Sequence, residues 1–72
     1  MPLAISPIGK TVSIVGMPQG DVKRRLESLG MAPGTLITPV ADNGGNLILK
    51  IGASKIALNR GLAMRIHVKD SL

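Results

Sequence analysis

His67 and the carboxylates Asp21, Glu27, Asp42 and Asp70 are the groups with which this sequence could move a proton or hold a metal. General acid–base work needs two titratable groups in one cleft, their pKa values pushed apart. The four acids fall instead at a helix start, on a helix face, in a turn and in the final residues, where capping and solvated charge account for them. His67 points outward in strand phase between Arg65 and Lys69, a cationic setting that disfavours a metal ion. With no second histidine and no cysteine to converge on it, no ligand set with zinc, EF-hand or related spacing can be built, although weak carboxylate binding stays open. The run Asp42-Asn43-Gly44-Gly45-Asn46 has the glycines of a phosphate loop, but lacks the Walker pattern and leads into no helix, so it reads as a hairpin turn. No serine or threonine has a histidine partner at a useful spacing. The chain is expected to be non-enzymatic and to carry no cofactor.

The remaining chemistry is charge. Nine Lys and Arg against four Asp and Glu give a net charge of +5, which suits an acidic partner: nucleic acid, an anionic membrane surface or an acidic protein. Nucleic acid is disfavoured, because single-strand readers stack bases on aromatic side chains and this chain has no Phe, Tyr or Trp. The consecutive bases Lys23, Arg24 and Arg25 invite a recognition-helix reading. At about 100° per residue, with Val22 at 0°, they fall near 100°, 200° and 300°, so they fan round the helix instead of lining one face. A groove-reading helix wants its readers together and other helices behind it. The segment is therefore mainly a structural corner, with Arg24 and Arg25 contributing to a partner surface.

The elements that must carry these groups are short. With 72 residues the chain is expected to be one domain, residues 1–72, near the lower size limit for folding without disulfides, with residues 1–9 an irregular lead-in broken by Pro2, Pro7 and Gly9. The lead-in lacks the charged and apolar regions of a signal peptide, and no apolar run approaches the roughly 20 residues that span a bilayer, so a cytoplasmic location is expected. Thr11 to Val15 alternate as a strand. Val22, Leu26 and Leu29 then fall at i, i+4 and i+7, the stripe of one amphipathic helix that Asp21 opens. Gly30 suits the left-handed position past its end, with Met31 folding back on Leu26, and Pro33-Gly34 suits a type II turn.

Next come two strands around a five-residue loop, a register that sets Ala41 opposite Leu47, Pro39 opposite Leu49, Ile37 opposite Ile51 and Val40 opposite Ile48. Pro39 donates no ladder hydrogen bond, so its strand is at an edge or bulged. A fourth strand carries Ile56 and Leu58 inward, Arg60 to Met64 form a single helical or 3₁₀ turn, and a fifth strand carries Ile66 and Val68 inward. The sum is mainly β: a small, strongly bent barrel of about five strands with one short α-helix. Leu36, Val40 and Ile48 point away from the inner face, and clustered exposed apolar groups mark interaction surfaces. The other reading of those three is burial beneath the lead-in residues Leu3, Ile5 and Ile8. Leu62 and Met64 beside Arg60 and Arg65 form a second exposed set.

Two motifs carry a family resemblance. Leu26, Leu29, Gly30, Met31, Pro33, Gly34 and Thr35 match a helix ending in Leu-Gly-Met-x-Pro-Gly-Thr, and Gly52, Ile56, Ala57, Leu58, Ile66 and Val68 match a looser strand–turn–strand pattern. Together they resemble the FeoA family of bacterial ferrous-iron uptake, over about residues 9–68. Ala53-Ser54 stand where the family often has an aromatic, Pro39 interrupts a usually regular strand, and Asn59-Arg60 replace a usual basic pair. The resemblance implies an SH3-like β-barrel and an accessory role on the cytosolic domain of the ferrous-iron transporter FeoB. Because the motif residues are mostly structural, it carries the fold over better than it carries a binding site. A related barrel ends iron-dependent repressors, but without a winged-helix portion in these 72 residues an independent DNA-binding repressor is not expected.

The leading expectation is thus a cytosolic protein-interaction module. Leu36, Val40 and Ile48 would supply apolar contact, and Arg24, Arg25, Lys50 and Arg65 would steer an acidic partner. A small basic nucleic-acid-binding barrel and a direct binder of divalent transition metals are the alternatives, and a homo-oligomer is left open.

Overall fold

A computed structural model describes residues 1–71. Its elements are a 3₁₀ turn at Leu3–Ile5, β1 (Val12–Gly16), α1 (Asp21–Ser28), β2 (Leu36–Asn43), β3 (Asn46–Ile51), β4 (Ser54–Asn59), α2 (Arg60–Ala63) and β5 (His67–Asp70). All neighbouring strands are antiparallel, in the order β4-β3-β2-β1-β5. β2 pairs with β1 through Leu36 and Ile37 and with β3 through Thr38 onward, so it bends between two half-sheets.

The alternation in the sequence fills the inside of that bend. Val12, Ile14, Ile37, Leu49, Ile66 and Val68 are all at most 1% exposed, and Leu26 of α1 closes one end over them. Each such aliphatic side chain contributes about 1.5–3 kcal/mol on burial, which is how a core without aromatics holds a chain this short. The inward assignments for Leu58, Ile66 and Val68 match the structure, and Ile56 is half-buried against the same cluster.

The corner after α1 follows its local chemistry. Gly30 N–H donates to the Glu27 carbonyl and Met31 N–H to the Leu26 carbonyl, both at 3.0 Å, which is a Schellman end. Gly30 has φ 92°, a conformation that costs a side-chain-bearing residue roughly 1–2 kcal/mol. Thr35 N–H then donates to the Ala32 carbonyl across Pro33-Gly34 at 2.9 Å, and Gly34 N–H donates to Ile14 of β1 at 2.8 Å. The helix exit is thereby stitched to the first strand.

The β2–β3 hairpin departs from expectation. Its loop has two residues, not five: Asn43 pairs with Asn46, and Gly44 and Gly45 have φ 59° and 97°. A two-residue turn with positive φ at both positions matches the twist of the flanking strands, and two glycines supply it without strain. Pro39 pairs with Leu49 as expected, with Thr38 against Lys50 beside it, but a bulge then shifts the register, so Ala41 faces Ile48 and Asp42 faces Leu47. The expected pairings of Ala41 with Leu47 and Val40 with Ile48 are therefore corrected: the tight turn wins, and Val40 absorbs the extra residue beside Pro39.

The lead-in is tied down at several points. Besides its 3₁₀ turn, Val68 N–H donates to the Met1 carbonyl and Leu3 N–H to the Ile66 carbonyl, each at 2.8 Å, while Pro2 bridges to His67. Residues Met1 to Leu3 thus run along the outer edge of β5, and Leu3 is buried in the core. Ile5 and Ile8 stay exposed.

Candidate protein-interaction surface

The helical stripe that buries Leu26 also decides where the bases go. Arg24, on the far side of α1 from the core, pairs with Asp21 at 2.9 Å with both side chains in solvent. Arg25 borders the apolar stripe and has no acidic partner within 4 Å among the described residues. It lines a cleft of about 200 Å³ between α1 and the outer side of β4, together with Val22, Leu26, Leu29, Leu58 and Leu62. Leu29, in the same helical stripe as Leu26, is 47% exposed there. Ala57 and Asn59 of β4 complete the wall. The Asn59 side chain accepts from Leu62 N–H at 2.7 Å, capping α2 and holding Leu62 at the cleft.

The other expected contact residues lie elsewhere. Leu36 is 54% exposed, whereas Val40 and Ile48 are half-buried. Leu36 and Val40 lie four positions apart along the strand, about 13 Å at the usual rise. Between them Thr38 bonds the Thr11 hydroxyl at 2.8 Å, so a polar pair interrupts the outer face. Lys50 lies on that face directly opposite Lys55, two like charges without an acidic neighbour within 4 Å among the described residues. Arg65 is exposed in the turn between α2 and β5. The seven expected residues are thus spread over the outer face of β2–β3, two sides of α1 and the end of α2, and they do not form one contiguous patch.

Lys55 and the cleft residues Val22, Leu29, Ala57 and Leu62 were not singled out together by sequence. The signal for Lys55 was present: a two-residue loop at Gly52-Ala53 places it opposite Lys50. The cleft has no such signal, because it exists only where α1 stands off the edge of β4.

His67 is exposed, its ring against Gly16, where a Cβ would lie 3.3 Å from the histidine Cβ. Among the described residues no three His, Cys, Asp or Glu side chains come together as a metal site. Asp42 pairs with Arg60 and Asp70 with Lys10, all at the surface, where such pairs contribute little. A second hollow, open and shallow, lies between the lead-in and the Asp42–Arg60 pair, and Ser6 Oγ is buried beside it without a hydrogen-bond partner.

The fold as a whole recurs in known proteins. A family model described as the FeoA domain matches residues 1–70. The chain belongs to the FeoA family. A Methanocaldococcus jannaschii protein named Fe(2+) transport protein A is 34% identical over 71 residues, covering 97% of this chain and 87% of that protein. Among solved structures, an iron uptake regulatory protein, FeoA, superposes with a TM-score of 0.86 at 27% identity, over 96% of this chain and 95% of that one. Stenotrophomonas maltophilia FeoA, solved in complex with zinc and described as a prokaryotic SH3-domain protein, gives a TM-score of 0.79 at 26% identity, over 96% and 89%. The fold of this FeoA chain is accordingly a mainly β, SH3-like barrel. No helix of the described residues is long and apolar enough to cross a membrane.

Proposed function

We propose that this FeoA chain is a non-catalytic accessory protein of ferrous-iron uptake, acting in the cytosol by docking on the cytosolic domain of the FeoB transporter. The observation that carries the reading is the FeoA-domain match over nearly the whole chain, residues 1–70. Two relatives bear names tied to this process: an Fe(2+) transport protein and an iron uptake regulatory protein. The surface supports docking over chemistry. Its cations Arg25, Lys50, Lys55 and Arg65 lack acidic partners within 4 Å among the described residues, and the apolar groups left exposed include Leu29 and Leu36. Unpaired charge of one sign steers an oppositely charged partner, and exposed apolar groups then hold it. Nucleotide hydrolysis belongs to the transporter and is modulated from here.

The test is a titration of the ¹⁵N-labelled chain with the transporter's soluble cytosolic domain at physiological salt. Amide shifts that saturate and cluster on one face, with affinity falling as salt rises, are expected. If no amide moves at high micromolar partner, direct docking is wrong, and a salt-sensitive complex with a mixed oligonucleotide becomes the reading to pursue.

A further inference from the structure

The free edge of β4 and the cleft beside it belong together. β4 ends the strand order, and no backbone hydrogen bond from any other element of the described residues reaches Ser54 to Leu58 on its outer side. The β3–β4 loop is two residues long, Gly52-Ala53, so Ile51 and Ser54 flank it as a hydrogen-bonded pair. Bonded and non-bonded pairs alternate from there. Lys50–Lys55 and Ile48–Ala57 are then non-bonded pairs, so the N–H and C=O of Lys55 and Ala57 point outward. Ala57 lines the cleft under α1, so its free backbone groups border an apolar trough formed by Val22, Leu29 and Leu62. The trough holds about 200 Å³, below the roughly 300 Å³ at which small-molecule sites begin, yet it has room for side chains of a docked strand.

We propose that an extended peptide of alternating apolar and acidic residues adds to β4 as a sixth strand, its apolar side chains in the α1–β4 cleft and its acids on Arg25 and Lys55. Resting on the docking reading above, this names the element of the partner that is captured. Charge selects the occupant. Arg25 in the cleft wall and Lys55 on the edge strand, two residues before Ala57, are both cationic and without acidic partners within 4 Å among the described residues. A second copy of the chain, itself at +5, would bring lysine against lysine, and a lysine on an edge strand is a common guard against self-pairing. An acidic strand meets no such repulsion. Main-chain bonds would give affinity, while the cleft and the two cations would give specificity, as in other strand-addition complexes.

The experiment uses the full-length ¹⁵N-labelled chain and two probes: a short capped peptide alternating glutamate with leucine and valine, and its counterpart with lysine for glutamate. The glutamate peptide is expected to give saturating shifts at Arg25, Leu29, Ala57 and Leu62, and to bind about tenfold or more tightly than the lysine peptide. Ala57→Pro removes an outward N–H and no internal ladder bond, so it should weaken binding by about tenfold with the remaining spectrum preserved. Should that variant lose its dispersed spectrum, Arg25→Glu at an exposed position serves in its place, with the same expected loss. Equal affinity for both peptides, or shifts centred on Leu36 and Arg65, overturns the proposal.

Repeating the titration with the transporter's cytosolic domain separates the two readings. Saturation on another face leaves docking standing and removes the β4 edge. Peptide bound at the edge while the domain moves nothing keeps the edge site and removes that partner.

Discussion

The outer edges of the two terminal strands are treated differently. β5 is covered by its own chain: Val68 N–H is bonded to Met1 and Leu3 N–H to Ile66, and the Leu3 side chain is driven into the core. Among the described residues β4 has no such cover. It carries Lys55 outward and faces α1 across a cleft that Leu29 leaves partly in solvent. An uncovered edge is an aggregation hazard that proteins normally manage, and this chain manages one edge by pairing and the other by charge. Pairing closes an edge, whereas charge only selects who approaches, which is why the interaction surface is sought at β4.

Several changes would break or sharpen that contrast. The largest concerns amide exchange: Val68, bonded to Met1, should exchange about 100-fold or more slowly than Ala57, whose outward N–H opens to water without unfolding. Similar rates at the two positions would mean that both edges are equally open. Leu3→Ala removes a fully buried side chain and should cost about 2–4 kcal/mol in a urea melt, with Val68 protection falling in parallel. A small loss with protection retained would show that backbone pairing alone holds the lead-in.

Gly30→Ala forces a side chain into φ 92° and should cost about 1–2 kcal/mol, loosening the end of α1 that carries Leu29. Asn59→Ala deletes the cap on Leu62 N–H, with an expected loss near 1 kcal/mol that urea melts can resolve, and with cleft resonances shifting more than those of β5. The smallest effect is Asp70→Asn, which breaks the exposed ion pair with Lys10 beside β5 and should change stability by about 0.5 kcal/mol or less. A larger loss there would mean that charge, and not backbone pairing, closes that edge.

Where each side chain is answered by its neighbours in sequence, the pattern of residues was sufficient. Gly30, Met31 and Leu26 form the helix end that their spacing implies, and Pro33-Gly34 form their turn, because capping bonds span only a few residues. The alternation around Val12, Ile14, Ile66 and Val68 named core positions, since a strand buries every second residue when one face is covered. Local reading went astray in the hairpin. The residues of Asp42 to Asn46 suit a loop, yet a two-glycine turn with a bulge at Val40 pairs Asp42 and Asn43 into the ladder. Turn geometry and Pro39 settle that jointly, and neither is visible in the alternation alone.

The surface divides in the same way. The helical wheel fans the three bases round α1 and treats Arg24 and Arg25 alike, and it is the structure that pairs Arg24 with Asp21 while leaving Arg25 at the cleft. The sequence by itself therefore determined the core, the corner after α1, the net charge and the family. Only the tertiary structure decided which strand edge is open, because that depends on where residues distant in the chain come to rest. Met1 reaches Val68 across the whole sequence, and α1 stands over Ala57 with nothing between them but the cleft.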